Sequence, residues 1–252
     1  MTIKRKEKIE NTIDVMPIYL NEMAMSQASL KLIEQLNDPN ISLKPAEERI
    51  SEIIGAEYAF RYSNKIEKGL KKAGLKFPNA DTSDYISDPD RQIDEGVLLK
   101  LFDCSFIDQK RNLIVTGPCG TGKTWLVCAL AVKAIHQLRS VKFYGTSKLI
   151  MELRSKDEKS YLKTLETLAR YDLLILDDVG MMELDYRSCH AFFDILESRY
   201  ENGSTVFISQ YPVSEWYKMF ENATFADASL SRAINKAYRL EVGGKDFRNP
   251  KK

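Results

Sequence analysis

The sequence predicts an α/β protein in which helices flank a parallel sheet, preceded by a small all-α domain. Two observations carry this prediction. Short apolar runs alternate with helical stretches from residue 95 to residue 252, which is typical of parallel strands joined by helices. Residues 1–76 show only helical spacing, and 77–94 contain a stretch rich in Pro, Asn, Asp and Ser that is typical of a linker. We therefore expect a helical domain at 1–76, a linker at 77–94 and a core at 95–252.

The N-terminal domain is predicted to contain two long helices. Apolar residues recur at helical spacing from about Asp14 to Gln35, and the sequence NDPN at 37–40 ends this helix. Pro45, followed by two glutamates, provides good chemistry for the start of a second helix, which continues to about Gly74.

Five short apolar runs in the core are predicted strands. The helices between them are expected to end near Arg139, Ala169 and Tyr200. The predicted strands are 112–117, 141–146, 173–178, 204–209 and 238–242.

A phosphate-binding loop follows the first predicted strand. The sequence GPCGTGKT fits the pattern G-x-x-x-x-G-K-[ST] and opens an amphipathic helix. Its glycines turn backbone N–H groups toward phosphate oxygens, Lys123 neutralises the β- and γ-phosphates, and the Thr124 hydroxyl binds Mg²⁺. The alternative is a glycine turn with a solvated lysine. The predicted nucleotide-binding residues are Gly117, Pro118, Cys119, Gly120, Thr121, Gly122, Lys123, Thr124 and Trp125.

Two acids end the third predicted strand, in the sequence LLILDDVG. Asp177 is expected to hold Mg²⁺ through water, and Asp178 to polarise the water that attacks the phosphate. Many ATPases place a glutamate at this second position, and an aspartate is one methylene shorter. Gln210 follows the fourth strand and is placed to contact the γ-phosphate or this water. The alternatives are two solvated acids and ordinary strand termination.

Overall charge does not identify a partner, because the net charge is only +1. Local runs are more informative: Arg61–Lys76 has six basic residues and one acid, and 229–252 has seven basic residues and two acids. We expect the first run to contact DNA phosphates, with a solvated helix face as the alternative. The predicted DNA contacts are Arg61, Lys65, Lys68, Lys71 and Lys72.

Cysteine usage and hydropathy predict a reduced, cytoplasmic protein. The four cysteines show no paired spacing, and two histidines are too few for a metal site. No stretch has the length of a signal-peptide core or a membrane span.

Beyond these motifs, the chain resembles the IstB-like ATP-binding proteins of insertion sequences, which are relatives of the DnaC helicase loaders in the AAA+ superfamily. The resemblance rests on SQYPVSEWY (209–217), FADASLSRAINKAYRLEV (225–242) and KDFR (245–248), beside the two nucleotide motifs. It implies an AAA+ core without the C-terminal helical lid. It also implies an ATPase that uses ATP and Mg²⁺, forms a ring or filament of identical subunits on duplex DNA, and assists a transposase.

The resemblance also assigns roles to individual residues. Gln210 corresponds to the polar residue called sensor I. Arg232 corresponds to an arginine finger, although Ser231 replaces the aspartate that precedes it in relatives. Arg248 corresponds to a second sensor arginine at the nucleotide, and Arg199 is a further candidate at a subunit boundary.

Three alternatives to a transposition helper stay open. A DnaC-like helicase loader has the same motifs. A P-loop kinase of small molecules explains the loop and the strand acids, but it predicts a lid between Asp178 and Ser204 that the sequence does not suggest. A scaffold that binds ATP without hydrolysis leaves the intact Lys123, Thr124 and two aspartates unexplained.

Overall fold

A computed structural model of the chain describes residues 13–87, 91, 93–244 and 246. Contacts between Cα atoms divide the chain into two compact units, residues 1–67 and residues 68–252. The helical N-terminal region and the α/β core predicted from the sequence are both present. The stretch expected as a linker, 77–94, lies inside the second unit and includes a short 3₁₀ turn at Thr82–Asp84.

The first unit contains α1 (Met16–Glu22), α2 (Ser26–Leu36) and most of α3 (Ala46–Ala73). The prediction of one helix over 14–35 was wrong, because the chain breaks between α1 and α2. Ala24 has a left-handed backbone with φ 55°, which no helix interior accommodates.

A buried carboxylate fixes the start of α2. Glu57 of α3, only 4% exposed, accepts hydrogen bonds from the backbone N–H of Gln27 (2.9 Å) and Ala28 (3.2 Å). Arg61 Nε donates to the same carboxylate at 2.6 Å, and Arg61 Nη2 donates to the Ala24 carbonyl at 2.9 Å. The guanidinium of Arg61 therefore holds the helices of this unit together, and its predicted role as a DNA contact does not account for its position.

Helix α3 ends within the second unit. Gly74 follows its last residue with φ 67°, the left-handed conformation that commonly terminates a helix. Lys142 Nζ donates to the carbonyl of Lys72 at 2.9 Å, which satisfies one of the last carbonyls of the helix. Ala73 is fully buried. The C-terminal turn of α3 is thus anchored to the α/β core.

The core is built on a five-stranded sheet in the order β2-β3-β4-β1-β5. All the strand pairs are parallel, as predicted. The strands are β1 (Leu113–Thr116), β2 (Val141–Gly145), β3 (Leu173–Val179), β4 (Ser204–Ser209) and β5 (Tyr238–Glu241).

In the part of the second unit that the structure describes, seven helices follow α3. The single helical stretch predicted to reach Ala169 is two helices, because Asp157 starts a new one by accepting a hydrogen bond from the Ser160 N–H at 3.0 Å. The helices are α4 (Glu95–Phe102), α5 (Ser105–Asp108), α6 (Lys123–His136), α7 (Thr146–Arg154), α8 (Glu158–Ala169), α9 (Tyr186–Arg199) and α10 (Ala223–Ile234).

Strands β1 and β4 are buried along their whole length. Every residue of β1 and β4 is buried, as expected for parallel strands covered on both faces. Apolar side chains from β3, α7, α9 and α10 share one core cluster with Trp216, which is 1% exposed. This packing holds the strand ends, and the loops that follow them, in fixed positions. Within the described part of the chain, none of the helices is both long and apolar enough to cross a membrane.

Candidate nucleotide-binding site

The two sequence motifs meet at the carboxyl edge of the sheet. The phosphate loop follows β1, and the two aspartates lie near the end of β3. Strand β4 lies between β1 and β3, so Ser209 and Gln210 end beside both motifs, as predicted. Ligands of open parallel sheets bind at this edge.

Two glycines give the loop its shape. Gly117 has φ 144°, and a Cβ there would lie 2.0 Å from the backbone oxygen of Val242, so only glycine fits beside the chain that leaves β5. Gly122, with φ 85°, is the N-cap of α6. The first turn of α6 therefore presents its free N–H groups and positive end to the loop, as an anion site requires.

Lys123 lies at the floor of the loop. The residue is 7% exposed, and its Nζ donates to the carbonyl of Pro118 at 2.6 Å. Thr121 Oγ1 donates to the same carbonyl at 3.0 Å. A buried ammonium that hydrogen-bonds to the loop backbone is placed to exchange that bond for phosphate oxygens.

Thr124 and Asp177 come together as a candidate Mg²⁺ site. Thr124 Oγ1 lies 3.4 Å from each carboxylate oxygen of Asp177, which is 1% exposed. A hydroxyl and a buried carboxylate are the hard oxygen donors that Mg²⁺ prefers, with phosphate and water completing its shell. The donor chemistry fits the ion, although among the described residues no group of three or more His, Cys, Asp or Glu forms a metal cage.

Asp178 is exposed, unlike the buried Asp177 that precedes it. Its side chain is 51% exposed, and its backbone has φ 60°. The register of β3 against β4 shifts between Leu176 and Val179, which releases Asp178 from the ladder. Left-handed backbone is tolerated by Asp and Asn better than by most residues. Asp178 and Gln210 line the same cavity, which places both where a water could be held against a phosphate.

Lys76 contacts both acids, which the sequence did not predict. Its Nζ lies 2.6 Å from Asp177 Oδ2 and 3.6 Å from Asp178 Oδ2. Partial burial opposes the charge of Lys76, but the hydrogen bond and charge of Asp177, with Asp178, raise the pKa of Lys76 above its ordinary value. In the sequence only the charge of Lys76 is visible, and it was therefore counted as one of the basic residues of the run at 61–76.

A cavity of about 540 Å³ extends from the loop. One wall comes from the segment expected as a linker: Phe77 and Ile86 give apolar surface, and Arg91 lies over the Tyr85 ring at 5.3 Å. Arg91 also approaches the loop, since a Cβ on Gly122 would lie 2.9 Å from its Nη2. Apolar surface beside a phosphate loop suits a nucleotide base.

Arg232 lies at the opposite edge of the sheet. Its guanidinium pairs with Glu197, donates to the Ala228 carbonyl at 3.0 Å, and lies 4.8 Å from the Phe193 ring centre. Its carbonyl accepts a hydrogen bond from Asn112 Nδ2 at 3.0 Å. Asn112 immediately precedes β1, whereas the phosphate loop immediately follows β1. The structure therefore does not bring Arg232 to the loop of its own chain.

Arg199 is a structural residue, and its sequence-based candidacy for a subunit boundary is wrong in this structure. The side chain is 2% exposed. It donates to the carbonyls of Leu168, Tyr171 and Ser204 and to the hydroxyl of Thr205. The other sensor candidate, Arg248, lies outside the described residues.

The remaining predicted DNA contacts are exposed lysines of α3. Lys65, Lys68 and Lys72 follow one another at helical spacing, and Lys71 is exposed beside them. Lys72 Nζ also lies 5.4 Å from the centre of the Tyr171 ring. None of these residues lines the nucleotide cavity.

Comparison with known proteins identifies the family. The profile of the family described as "IstB-like ATP binding protein" matches residues 17–252. The chain belongs to this family. The IstB-like chain is 33% identical to the insertion-sequence ATP-binding protein y4pL of Sinorhizobium fredii, over 91% of this chain and 94% of that protein. It is 28% identical to the insertion sequence IS21 ATP-binding protein of Pseudomonas aeruginosa, over 92% of this chain and 87% of that protein.

Solved structures support the fold. The IstB-like chain matches the crystal structure of DnaI with a TM-score of 0.56 and 24% identity, over 68% of this chain and 91% of that chain. The DnaC helicase loader gives a TM-score of 0.52 and 20% identity, over 65% of this chain and 97% of that chain. DnaA of Aquifex aeolicus, bound to AMPPCP, gives a TM-score of 0.54 and 16% identity, over 68% of this chain and 52% of that chain. The protein is an ATPase of the IstB-like ATP-binding family, and its core has the fold of the DnaI, DnaC and DnaA structures.

Proposed function

We propose that this ATPase assembles on duplex DNA, with each subunit completing the ATP site of its neighbour, and assists the transposase of an insertion sequence. Thr124 and, through water, Asp177 would hold Mg²⁺, which would offset the negative charge of the phosphates. Asp178 orients the attacking water, Gln210 contacts the water or the γ-phosphate, and Lys123 neutralises the phosphates.

The position of Arg232 carries this proposal. Strand β1 separates Asn112, which is bonded to the Arg232 carbonyl, from the phosphate loop. Four residues of strand span about 13 Å. An arginine at the amino edge can act on a nucleotide only in another subunit. Contacts of this head-to-tail kind repeat from subunit to subunit and give a ring or an open filament.

Mixing two inactive variants tests this arrangement. Arg232→Ala lacks the finger, and Lys123→Ala lacks a working phosphate loop. A finger supplied in trans contributes roughly 10³–10⁵ in rate, so each variant alone is expected to hydrolyse almost no ATP. In a mixture, intact loops meet intact fingers at some interfaces, and part of the activity returns.

Arg239→Ala is a matched control, because Arg239 is an exposed arginine on β5, the strand that follows the helix carrying Arg232. This variant should hydrolyse ATP normally. If the two inactive variants co-assemble but stay inactive at every mixing ratio, Arg232 does not act in trans.

DNA binding is proposed to rest on phosphate contacts of α3 and to be largely independent of sequence. Each phosphate contact contributes roughly −0.9 to the slope of log affinity against log salt concentration. Replacing Lys68, Lys71 and Lys72 with alanine should therefore flatten the slope by up to about 3. The matched control replaces three other exposed lysines, Lys100, Lys159 and Lys163. Equal slopes for both triple variants would show that α3 does not contact DNA.

The relatives favour transposition over helicase loading. The names of the two relatives above place them in insertion sequences, whereas the likeness to the DnaC helicase loader is one of fold. The deciding experiment adds the protein and ATP to a transposase encoded beside its gene and measures DNA strand transfer. Stimulation supports the proposal. Stimulation of helicase loading in place of strand transfer would favour the DnaC-like alternative.

A kinase is the less favoured activity. Between Asp178 and Ser204 the described chain forms a turn, helix α9 and a short loop, all joined to the core. No separate lid occurs in that described segment. Phosphate transfer to a small acceptor, rather than to water, would revive this alternative.

A further inference from the structure

Lys76 supplies the counter-charge of the two motif acids. Asp177 is 1% exposed, and a buried carboxylate is costly unless a cation or hydrogen bonds compensate it. The ammonium of Lys76 reaches it at 2.6 Å, while Asp178 lies within 3.6 Å of the same nitrogen.

Mg²⁺ and Lys76 compete for one carboxylate. Thr124 Oγ1, the proposed second ligand, lies 3.4 Å from the same Oδ2 that accepts the hydrogen bond of Lys76. An ion held between Thr124 and Asp177 would stand within a few ångströms of the ammonium. Two cations at that separation repel each other.

Lys76 can leave its place at little cost. Its side chain is 48% exposed, so the ammonium can turn outward into water. Its Nζ lies 5.6 Å from the centre of the Phe143 ring, a weak contact at an exposed site. Lysine is suited to such exchange, because its charge sits on a flexible stem and makes no bidentate pair.

The position of Lys76 in the chain gives this exchange a consequence. Ala73, the last residue of α3, precedes Lys76 by only Gly74 and Leu75, and Leu75 is buried. The last turns of α3 carry Lys68, Lys71 and Lys72. Movement of Lys76 therefore acts at the C-terminal end of the helix that is proposed to contact DNA.

We propose that Lys76 is a resident counter-cation that Mg²⁺ displaces, so that loading of the metal–nucleotide complex is signalled to the end of α3. This inference rests on the proposed Mg²⁺ site. Lys76 is a positioning residue: it holds the acids when no metal is bound, and its release changes the segment at 68–76.

Metal affinity provides the first test. Mn²⁺ binding to the full chain with ADP is measured by electron paramagnetic resonance for wild type, Lys76→Met and Lys100→Met. Loss of a half-exposed competing ion pair should tighten Mn²⁺ binding in Lys76→Met by about fivefold. Lys100→Met removes the same charge from an exposed helix position that does not line the cavity, and it should bind Mn²⁺ as wild type does.

The outcomes separate the inference from the proposed site. Wild-type protein that binds no Mn²⁺ with ADP would contradict the Mg²⁺ site itself, and the inference with it. Equal affinity in wild type and Lys76→Met, or tightening in both variants alike, overturns only the inference.

Two measurements follow the displacement directly. In wild-type protein, acylation of lysines read by mass spectrometry should show Lys76 several-fold more reactive with Mg²⁺–AMPPCP than with AMPPCP and a chelator. Amide hydrogen exchange of 68–76 should rise on adding Mg²⁺ to wild type, and should already be high in Lys76→Met. Unchanged reactivity of Lys76, or a full metal response in Lys76→Met, overturns the inference.

Discussion

Replacing Arg199 with methionine should destabilise the ATPase core strongly. The guanidinium of Arg199 is 2% exposed and makes hydrogen bonds to three backbone carbonyls and the hydroxyl of Thr205. Methionine fills most of the space but donates nothing, so these acceptors lose their partners. Each buried group left unsatisfied costs about 1–3 kcal/mol.

The total loss should be about 3–5 kcal/mol, since water and small shifts recover part of the bonding. For a domain of this size, 1 kcal/mol lowers the melting temperature by about 2–4 °C. We therefore expect Arg199→Met to melt roughly 6–20 °C below wild type, as measured by thermal unfolding followed by circular dichroism.

Arg187→Met is the matched control, because Arg187 is an exposed arginine on the same helix, α9. It should change stability by about 0.5 kcal/mol or less. Burial lowers the pKa of Arg199 to about 10, so the residue remains charged at neutral pH and the comparison removes one charge from each site. An Arg199→Met protein that melts like wild type but loses ATP hydrolysis would refute the structural role and restore Arg199 as a candidate for trans catalysis.

Three further predictions concern the site and the first unit. Lys123→Ala should lose ATP binding, because the phosphates lose their buried counter-ion; unchanged affinity in calorimetry would contradict this. Asp178→Asn should bind ATP normally but hydrolyse it poorly, and normal hydrolysis would transfer the role to another acid such as Glu183. Burial tends to raise the pKa of Glu57, but hydrogen bonds from Arg61 and two backbone N–H groups lower it overall. The ionised Glu57 therefore stabilises the folded first unit at pH values above its unfolded pKa, near 4.5. This contribution should fall as the pH drops through the lower pKa of the folded state. Glu57→Gln should weaken the dependence of the unfolding free energy on pH in this acid range.

The sequence predicted the sheet and the main motifs because their signals are local. An apolar run before GPCGTGKT and another before Asp177 each identify a buried strand end, and parallel pairing then brings these ends to one edge. The order of the strands, with β4 between β1 and β3, was established by the structure.

The errors arose where a distant residue decides the local structure. The break at Ala24 depends on Glu57, which is 33 residues further along the chain and supplies the cap of α2. The sequence shows the charge of Arg199 but not its burial, because its four acceptors come from two other segments, 168–171 and 204–205, that only the fold brings around it. Lys76 was grouped with its neighbours in the chain, although its partner Asp177 lies 101 residues away.

Strand β1 has a mechanical consequence for an assembly of this kind. At one end of β1, Asn112 donates to the carbonyls of Arg232 and Ala233, and its Oδ1 accepts from the Thr205 N–H at 2.9 Å. At the other end begins the loop that holds the subunit's own nucleotide. A fully buried strand does not stretch or bend easily, so it behaves as a short rod. In the proposed assembly, a tilt of β1 produced by phosphate contacts at one end would move Arg232 at the other end, and each subunit would thereby pass the state of its own site to the next subunit.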